Sequence, residues 1–548
     1  METDPLLPED GALRRSVLAL FMGVPLLFGV ISLWLGQDAN WDLRNYHWYD
    51  AYAVLNGRLD VDMGAAQTPT FYNPTLDIPF YLAAQAMPAR LFGFLLGVLQ
   101  GCNFILLYLL ASRALRLGDG RLQVLACAIV AFVGLIGGGH LSLVGAIFYD
   151  NIVSLFVFGA MVVILSSADI LQRGSWPQAL GRAGLAGLLV GFAVGLKLPT
   201  QIFAVGVCFG LLFIPGPFWR RFFLSFVCGL GIIAGFAIFG GWWMWELWTR
   251  YANPLFPYFN DVIRSPWALP ESYRDARFLP KSLGAALVLP FQIFLDGKAA
   301  GEIAFRDARV LGAYIVLLAT PLMFVVRHMK AASVVDNDDT PPVDFFALRY
   351  LAAVAALSYA VWLGLFGIYR YMIPLEMLAP LLVAVCIATW PVARARRFSL
   401  VFGMLGFMVA TSSAGTWGRI PWAPGLGGKF VDVTLPPIAN PAATMALITG
   451  FAPTAFVIPA LPPDIPVLRP YSYLVEPEHA TRFNEVLHAR IAAHTGDFLL
   501  LQAVWEKWAA EKVLPGFGLE FDPARCRPIR ANLDAELEMC TLRRRVSP

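Results

Sequence analysis

A cluster of acidic and aromatic residues follows the first apolar run of the chain. The segment 37–50 contains the carboxylates of Asp38, Asp42 and Asp50, together with His47 and several aromatic rings. A carboxylate beside an external cavity can remove a proton from a hydroxyl group as a general base. From Asp42 onward the segment has helical spacing, since Tyr46, Tyr49, Ala53 and Asn56 follow in steps of three and four. The aromatic residues indicate that this helix lies at the membrane interface. The plainer alternative is an aromatic belt whose acidic residues are solvated.

Four more charged residues stand at the ends of apolar runs. Asp150 opens one run, Lys197 ends another, and Arg370 and Glu376 flank the start of a third. Charges at membrane depth are expensive and usually functional, and lysine and arginine at the membrane surface can hold a phosphate group. As structural alternatives, Asp150 could cap a helix and Lys197 could reach toward the interface. Arg370 could pair with Glu376 and only anchor its helix.

The composition indicates a membrane protein. Of the 548 residues, 58% are hydrophobic and only 14% are charged, whereas soluble proteins have about 25% charged residues. A chain with so little charge cannot cover a surface that faces water, so most of its surface must face lipid. The net charge of +3 arises from 41 basic and 38 acidic residues. No basic stripe stands out, which argues against nucleic acid as a partner.

Apolar runs long enough to cross a bilayer recur along the chain with short polar breaks. About eleven membrane helices are therefore expected in a domain of residues 1–414, and the fifth and sixth could be one broken pair around Lys197. The expected segments are 16–36, 91–112, 122–138, 150–170, 183–197, 199–215, 222–246, 308–326, 350–367, 372–392 and 398–414. Lysine and arginine in the short loops place the N-terminus in the cytoplasm, so the long loops 37–90 and 247–307 face outward. This pattern predicts a multi-pass protein of the bacterial inner membrane.

The C-terminal segment 415–548 differs in composition from the apolar part of the chain. Proline-rich stretches bound strand-like runs at 454–459 and 497–501, and residues 478–494 have the spacing of an amphipathic helix. An odd number of membrane helices places this segment on the periplasmic side. We therefore expect a small extracytoplasmic α/β domain here.

Two of the seven cysteines, Cys526 and Cys540, lie in this polar segment. In an oxidising compartment they could form a disulfide, and otherwise they would be two unpaired thiols. No CxxC or histidine-rich spacing indicates a structural metal site.

Several motifs, taken in order along residues 16–414, resemble those of the GT-C superfamily of membrane glycosyltransferases. The superfamily has an acidic residue in the first external loop, commonly followed by tyrosine and small residues and ending in Leu-x-Gly. Residues that fit this form are Asp42, Tyr46, Ala51, Ala53, Leu55 and Gly57. Further segments that resemble family motifs are the aromatic-proline segment 71–74, Asp150 at the start of a helix, the glycine-rich helix end 191–197, the Asn-Pro loop 251–257 and the segment 369–376.

The resemblance implies an enzyme that takes a sugar from a polyprenyl-phosphate donor on the outer face of the membrane and transfers it to a lipid, glycan or protein acceptor. We hypothesise an inverting mechanism in which Asp42 deprotonates the acceptor hydroxyl and Asp150 orients the acceptor or assists. Lys197 and Arg370 would neutralise the donor phosphate, whose departure is the costly step. The other residues expected to line the site are Tyr46, His47, Asn253 and Glu376.

The acidic loop offers more than one carboxylate for catalysis. Asp38 competes with Asp42 for the role of general base. At their four-residue spacing, Asp38 and Asp42 could instead act together around a divalent cation, since some members of the superfamily use a metal and others do not. No cofactor beyond such a cation is expected.

Two other functions stay open at the level of the sequence. A transporter or flippase of lipid-linked sugars would need a polar path through the helices, but the ionisable residues gather toward one side. A non-catalytic scaffold would bind a partner through its outer domain and leave the acids solvated. Transport without covalent transfer would indicate the first function, and full function after joint replacement of Asp42 and Asp150 would indicate the second.

Overall fold

The computed structural model describes residues 8–331, 342–425 and 427–545. Within these residues the chain is mostly helical, and it divides into two compact units. The first unit comprises Met1–Leu35, Gly93–Phe239 and Asp275–Trp417, and the second comprises Gly36–Phe92, Gly240–Arg274 and Gly418–Pro548. The second unit therefore contains the first long predicted loop, part of the second loop and the C-terminal segment.

Long apolar helices dominate the first unit. Among the described residues, seven helices are long and apolar enough to cross a membrane by length and composition, and four shorter apolar helices accompany them. Each predicted apolar run coincides with a helix, which confirms the prediction of a polytopic α-helical membrane protein. A further apolar helix lies within the predicted loop 247–307. The helices formed wholly or partly by this unit are Gly11–Leu35, Ala89–Gly101, Asn103–Ala114, Gly120–Leu135, Gly138–Leu143, Asp150–Ser166, Ala168–Arg173, Trp176–Leu196, Gln201–Gly210, Phe218–Tyr251, Leu283–Leu295, Arg309–Ala331, Phe345–Leu365, Ile373–Ala388 and Arg394–Thr411.

Glycine allows two of these helices to pack closely. Gly187 and Gly191, one turn apart on Trp176–Leu196, face the helix Phe218–Tyr251. A Cβ atom at Gly187 would lie 2.0 Å from a carbonyl oxygen of that helix, and one at Gly191 would lie 2.3 Å from another. Small residues at this spacing let helix backbones approach in a membrane, where lipid supplies no hydrophobic force between helices. This packing fixes the helix that ends directly before Lys197.

A mixed six-stranded sheet forms the core of the second unit. In spatial order its main strands are Val467–Tyr471, Thr444–Thr449, Asp497–Ala503, Leu537–Arg544 and Leu519–Glu520, and Cys526–Pro528 also pairs with Leu537–Arg544. The first three strands are parallel, and the fourth runs antiparallel to its neighbours. A disulfide joins Cys526 and Cys540 across two paired strands. Shorter strand pairs are Gln37–Asp38 with Arg419–Ile420 and Val433–Thr434 with Arg530–Ala531, and the helices of this unit are Trp48–Leu55, Asp77–Ala86, Asn260–Ile263, Arg482–Ala493 and Lys507–Val513.

The predicted α/β character of the C-terminal segment is confirmed. The strand predicted at 497–501 is present as Asp497–Ala503. The helix predicted at 478–494 begins later, at Arg482, where the side chain of Thr481 accepts a hydrogen bond from the backbone N–H of Asn484. Threonine is a common residue at this capping position, because its oxygen satisfies an N–H group that the helix leaves unpaired.

The strand predicted at 454–459 is wrong. The structure has a 3-10 helix, Ala455–Ala460, at this place. Pro459 lies inside it, and a proline has no N–H to donate to a strand ladder. The apolar residues of this segment are buried all the same, which explains why their composition is strand-like.

The first predicted outer loop is attached to the edge of the sheet. Met63 pairs in parallel with Leu468 of the edge strand. Arg58 and Asp62 form a buried ion pair, with 2.6 Å between Nη2 and Oδ1. Asp62 also accepts hydrogen bonds from the Tyr49 hydroxyl at 3.0 Å and from a backbone N–H of the edge strand at 2.8 Å. These contacts fix the acidic segment on the sheet.

Replacing Asp62 by alanine is expected to lower the free energy of unfolding by about 3–5 kcal/mol, because Arg58 would stay buried without its partner. Asp60 gives a matched control, since it pairs with Arg250 but has a side chain that is 78% exposed. Asp60→Ala should therefore cost about 1 kcal/mol or less. Denaturant unfolding of the purified chain in detergent measures both variants. Equal losses would contradict the importance of the buried pair.

Candidate active site

The acidic segment folds as a π-helical turn, Leu43–His47, that continues into the helix Trp48–Leu55. Turns of this kind are rare and frequently occur at functional sites. Asn40 starts the turn, because its side-chain oxygen accepts a hydrogen bond from the first N–H at 2.7 Å. The turn places Tyr46 beside Asp42, and the tyrosine hydroxyl donates to Asp42 Oδ2 at 3.0 Å. Asp42 is half-buried.

Asp38 lies in a different environment from Asp42. Its backbone pairs with Arg419 in a short antiparallel ladder, and the residue is buried. Both of its carboxylate oxygens accept hydrogen bonds from the side-chain amide of Asn40 at 2.8 Å. The side chains of Asp38 and Asp42 are thus held by different neighbours, Asn40 and Tyr46. Among the described residues, the one group of three side chains close enough to share an ion includes the disulfide cysteines.

A histidine–aspartate pair lies next to the turn. His47 Nδ1 is 2.6 Å from Asp77 Oδ1, and both side chains are buried. The Tyr46 ring contacts the His47 ring at 4.1 Å and meets the Tyr72 ring edge-on at 5.2 Å. The hydroxyl groups of Tyr72 and Tyr258 lie 2.6 Å apart. We refer to Asp42, Tyr46, His47, Tyr72 and Asp77 as the acid cluster.

Asn253 shapes the loop that carries Tyr258. Its side-chain amide donates to the Tyr258 carbonyl at 3.0 Å, and its side-chain oxygen accepts from the Leu255 N–H at 2.9 Å. Asn260 holds the rest of the loop by donating to three carbonyl groups within 265–269. Asn253 is completely buried. This residue, predicted to line the site, therefore acts on the loop backbone and reaches the acid cluster through Tyr258.

Asp50 is the third carboxylate of the segment, and it is buried in the helix Trp48–Leu55. Neither of its oxygens has a hydrogen-bond partner among the residues that the structure describes. Burial raises the pKa of Asp50 well above its usual range, and the negative charge of Asp77 raises it further. This environment favours the protonated form of Asp50, which cannot accept a proton from a substrate.

In the first unit, Lys197 forms an ion pair with Asp150, with 2.8 Å between Nζ and Oδ2. Lys197 also donates to the carbonyl oxygen of Phe148 at 2.6 Å. Tyr149, between these two acceptors, has a φ of 64°, a left-handed conformation that is uncommon outside glycine. The turn directs the Phe148 carbonyl and the Asp150 carboxylate to one ammonium group. Lys197 directly precedes the 3-10 turn Leu198–Thr200. The structure therefore has the broken helix pair that was one of the two expectations for the fifth and sixth helices.

Arg370 stacks on aromatic rings. Its guanidinium carbon lies 4.3 Å from the ring centre of Phe148 and 5.3 Å from that of Trp417. The ring of Tyr371 is 5.7 Å from Arg370 and 5.6 Å from the Lys197 ammonium. A guanidinium that is stacked on rings presents its N–H donors at its edge, in a geometry suited to phosphate. We refer to Lys197, Arg370 and Asp150 as the cation cluster.

Glu376 is completely buried at the start of the helix Ile373–Ala388. Its carboxylate accepts hydrogen bonds from the backbone N–H groups of Gly139 at 3.2 Å and His140 at 2.9 Å. A Cβ atom at Gly139 would lie 2.3 Å from a Glu376 oxygen, so only glycine leaves room for this contact. The structure thus places Glu376 against the backbone of a neighbouring turn.

The structure brings the predicted site residues together in two groups and leaves three of them in supporting positions. Asp42, Tyr46 and His47 share the acid cluster, and Lys197, Arg370 and Asp150 share the cation cluster. The supporting residues are Asp38, Asn253 and Glu376. Residues with direct contacts in these groups that the sequence-based prediction did not name are Asp77, Tyr72, Tyr258, Phe148, Tyr371 and Trp417. Most of these residues lie inside or beside the motif segments, so the motif segments could have indicated them as candidate site residues.

The raised pKa of the Asp50 carboxyl group predicts that the stability of the fold depends on pH. Folding raises the pKa of Asp50. Its contribution to the free energy of unfolding is therefore fully present below the pKa of the unfolded chain, about 3.9, and is lost as the pH rises through the pKa of the folded chain. Asp50→Asn removes the ionisation and keeps the size. The melting temperature of this variant, relative to the natural chain, should therefore rise from about pH 4 to about pH 8. A hydrogen bond from Arg250 lowers the pKa of Asp60. The difference in melting temperature between Asp60→Asn and the natural chain should therefore stay constant over the same pH range. A difference in melting temperature that does not change with pH for Asp50→Asn would contradict the raised pKa.

Comparison with known proteins gives only distant matches. No protein-family model and no curated protein matches the sequence. Among solved structures, the chain is similar to the archaeal oligosaccharyltransferase AglB from Archaeoglobus fulgidus, in complex with an inhibitory peptide and a dolichol-phosphate, at 12% identity and a TM-score of 0.45, over 94% of this chain and 74% of that one. It is also similar to ArnT from Cupriavidus metallidurans bound to undecaprenyl phosphate, at 12% identity and a TM-score of 0.39, over 96% of this chain and 97% of that one. At these scores the likeness assigns no activity, substrate or residue role to this chain.

Proposed function

We propose that the chain is a membrane glycosyltransferase that moves a sugar from a polyprenyl-phosphate donor to a hydroxyl group of a lipid, glycan or protein acceptor, on the outer face of the bacterial inner membrane. The observation that carries this proposal is the contrast between the three carboxylates of the acidic segment. Asp38 accepts hydrogen bonds from the Asn40 amide on both carboxylate oxygens, and burial raises the pKa of Asp50. Asp42 is half-buried beside a tyrosine hydroxyl, so a substrate hydroxyl can come within hydrogen-bond reach of it, as general base catalysis requires.

In the proposed reaction, the acceptor oxygen attacks the anomeric carbon of the donor sugar from the face opposite the phosphate. The Asp42 carboxylate takes the hydroxyl proton as the new carbon–oxygen bond forms. The bond between the anomeric carbon and the phosphate oxygen breaks, and its electron pair leaves with the polyprenyl phosphate, so the configuration inverts. The hydrogen bond from the Tyr46 hydroxyl fixes the direction of the Asp42 carboxylate.

Lys197 and Arg370 are proposed to bind the donor phosphate. Both cations are part-buried, and both lie against the ring of Tyr371. Cations that are already in place stabilise the charge that grows on a leaving phosphate without reorganising during the reaction. Asp150 pairs with Lys197, so we assign it to positioning the ammonium group instead of orienting the acceptor.

The other predicted residues are proposed to support the site. His47 is held in place by Asp77, and its ring supports Tyr46. Asn253 sets the loop that brings in Tyr258, and Glu376 holds a buried turn of the membrane region. Replacement of these residues would disturb geometry, so their variants are less diagnostic than those of Asp42, Lys197 and Arg370.

Mass spectrometry of glycolipids and glycoproteins from cells with and without this chain tests the proposal. The expected result is a product that lacks one sugar in the cells without the chain, together with accumulated polyprenyl-phosphate sugar. The purified chain in vesicles should then restore the missing sugar from that donor. Movement of the lipid-linked sugar across the vesicle membrane without transfer would instead support a flippase.

Asp42→Asn should lower kcat by about 10²–10⁴-fold, because the amide keeps the size of the side chain but cannot take a proton. The rate of sugar transfer in vesicles measures this loss. Asp60→Asn is the matched control, since Asp60 lies in the same loop with an exposed side chain, and it should leave the rate unchanged.

Asp38→Asn separates the two candidate bases. It should change kcat far less than Asp42→Asn, because Asp38 is proposed to hold the start of the turn through Asn40. Near-normal transfer by Asp42→Asn at normal expression would exclude Asp42 as the base. A full loss in Asp38→Asn alone, with unchanged melting temperature, would transfer the role to Asp38.

Arg370→Lys and Lys197→Gln should each raise the KM for the donor by about 10- to 100-fold, because a hydrogen bond to a charged group contributes about 1.5–3 kcal/mol. The matched control is Arg306→Lys. Arg306 is an exposed arginine of the same unit that lies over the Phe294 ring at 4.9 Å, so its replacement should leave KM unchanged. Equal effects in all three variants would contradict a specific phosphate site.

A further inference from the structure

A recess in the second unit is large enough for a small organic ligand. Its volume is about 510 Å³, within the range of ligand pockets. None of the residues predicted for the site lines it. The lining residues are Trp48, Tyr81, Ala84, Gln85, Met87, Pro88, Gly427, Gly428, Lys429, Phe430, Val431, Asp432, Val433, Phe456, Pro459 and Ala460. We refer to it as the aromatic cavity.

Buried rings form the fixed floor of the aromatic cavity. Trp48 and Tyr81 are each less than 10% exposed, and their rings lie 4.6 Å apart. Phe430 and Phe456 are each 1% exposed. Phe430 and Phe456 therefore support the floor from behind, and the small exposed parts of Trp48 and Tyr81 are the aromatic surface that a ligand can contact. Because burial holds these two rings in place, they lose little conformational freedom when a ligand binds.

The wall of the cavity at 429–433 is anchored to other parts of the second unit. The Phe430 carbonyl accepts hydrogen bonds from the side chains of Gln37 at 2.5 Å and Asn532 at 3.0 Å. Asn532 also accepts from the Asp432 N–H at 2.8 Å. The strand Val433–Thr434 then pairs with residues 530–531. The cavity is therefore built into the fold and does not depend on a ligand to form.

The lining distinguishes between two classes of ligand. An isoprenoid chain would require a continuous apolar surface, but the rim of the cavity carries the exposed side chains of Gln85, Lys429 and Asp432. A carbohydrate has C–H faces, which pack on the negative faces of aromatic rings, and hydroxyl groups, which bond to amide, ammonium and carboxylate groups. Aromatic rings below and hydrogen-bonding groups at the rim match a carbohydrate.

We infer that the aromatic cavity is a carbohydrate-binding site that holds the glycan part of the acceptor. Trp48, in its floor, directly follows His47 of the acid cluster in the chain. The helix Asp77–Ala86 contributes Asp77 to the acid cluster and Tyr81, Ala84 and Gln85 to the cavity. Naming the ligand as the acceptor rests on the proposed function. Carbohydrate binding itself can be measured without turnover, so the two ideas fail separately.

Saturation-transfer NMR with maltose, on the full chain in a detergent without a sugar head group, tests the site. Ala460 is exposed and lines the cavity, so Ala460→Trp should fill the cavity without disturbing the core. The expected result is a saturable maltose signal in the natural chain that Ala460→Trp abolishes and Asp432→Ala weakens. Ala492→Trp is the control, because it adds the same ring at an exposed helix position outside the cavity, and it should leave the signal unchanged.

Three results would overturn the inference. The first is that maltose gives no saturable signal at millimolar concentration. The second is a maltose signal that Ala460→Trp leaves intact. The third is that geraniol binds instead of maltose and that Ala460→Trp abolishes the binding of geraniol. Once an acceptor is known, Ala460→Trp should raise its KM by about 10-fold or more and leave the KM for the donor unchanged. Loss of maltose binding without any change in acceptor KM would keep a carbohydrate site but remove its role in transfer.

Discussion

The buried ion pair between Arg58 and Asp62 is the interaction on which the placement of the acid cluster depends. It fastens the segment that follows the first membrane helix to a strand 405 residues later in the chain. Burying two charges has a large desolvation cost, which is offset only when further hydrogen bonds satisfy both groups. Here the Tyr49 hydroxyl and backbone groups of the sheet edge supply those bonds. Arg469, on the same strand, extends the attachment by donating to the Ala65 carbonyl, and burial lowers the pKa of Arg469 to about 9.

A second constraint acts in the membrane region, where two helices pack closely. Gly187 and Gly191 bring two helix backbones together and fix the direction in which Lys197 leaves its helix. The left-handed conformation of Tyr149 then places two acceptors on the Lys197 ammonium. A non-glycine residue in this conformation costs about 1–3 kcal/mol and persists only where the surrounding structure imposes it. The cation cluster therefore depends on backbone geometry that packing maintains.

Local sequence patterns predicted the parts of the fold that local physics determines. The membrane helices follow from hydropathy alone, because each span must satisfy its own backbone in lipid. The strand expected at 454–459 is wrong because apolar composition is shared by buried strands and buried 3-10 turns, and Pro459 decides between them. The pairing of His47 with Asp77 bridges 30 residues of sequence, and no periodicity reports such a contact. Candidate residues at helix ends could be named from the sequence, but their partners could not.

The three carboxylates of the acidic segment have the same chemistry in the sequence and acquire different properties only from their surroundings. The helix Trp48–Leu55 makes this separation possible. It buries Asp50 without a hydrogen-bond partner among the described residues, and it sets Trp48 into the aromatic cavity. An ionised Asp50 would place a second negative charge near Asp77. Burial prevents this by favouring the neutral acid. The raised pKa of Asp50 therefore limits the repulsion of Asp77, which pairs with His47. The His47 ring contacts Tyr46, and the Tyr46 hydroxyl in turn donates to Asp42.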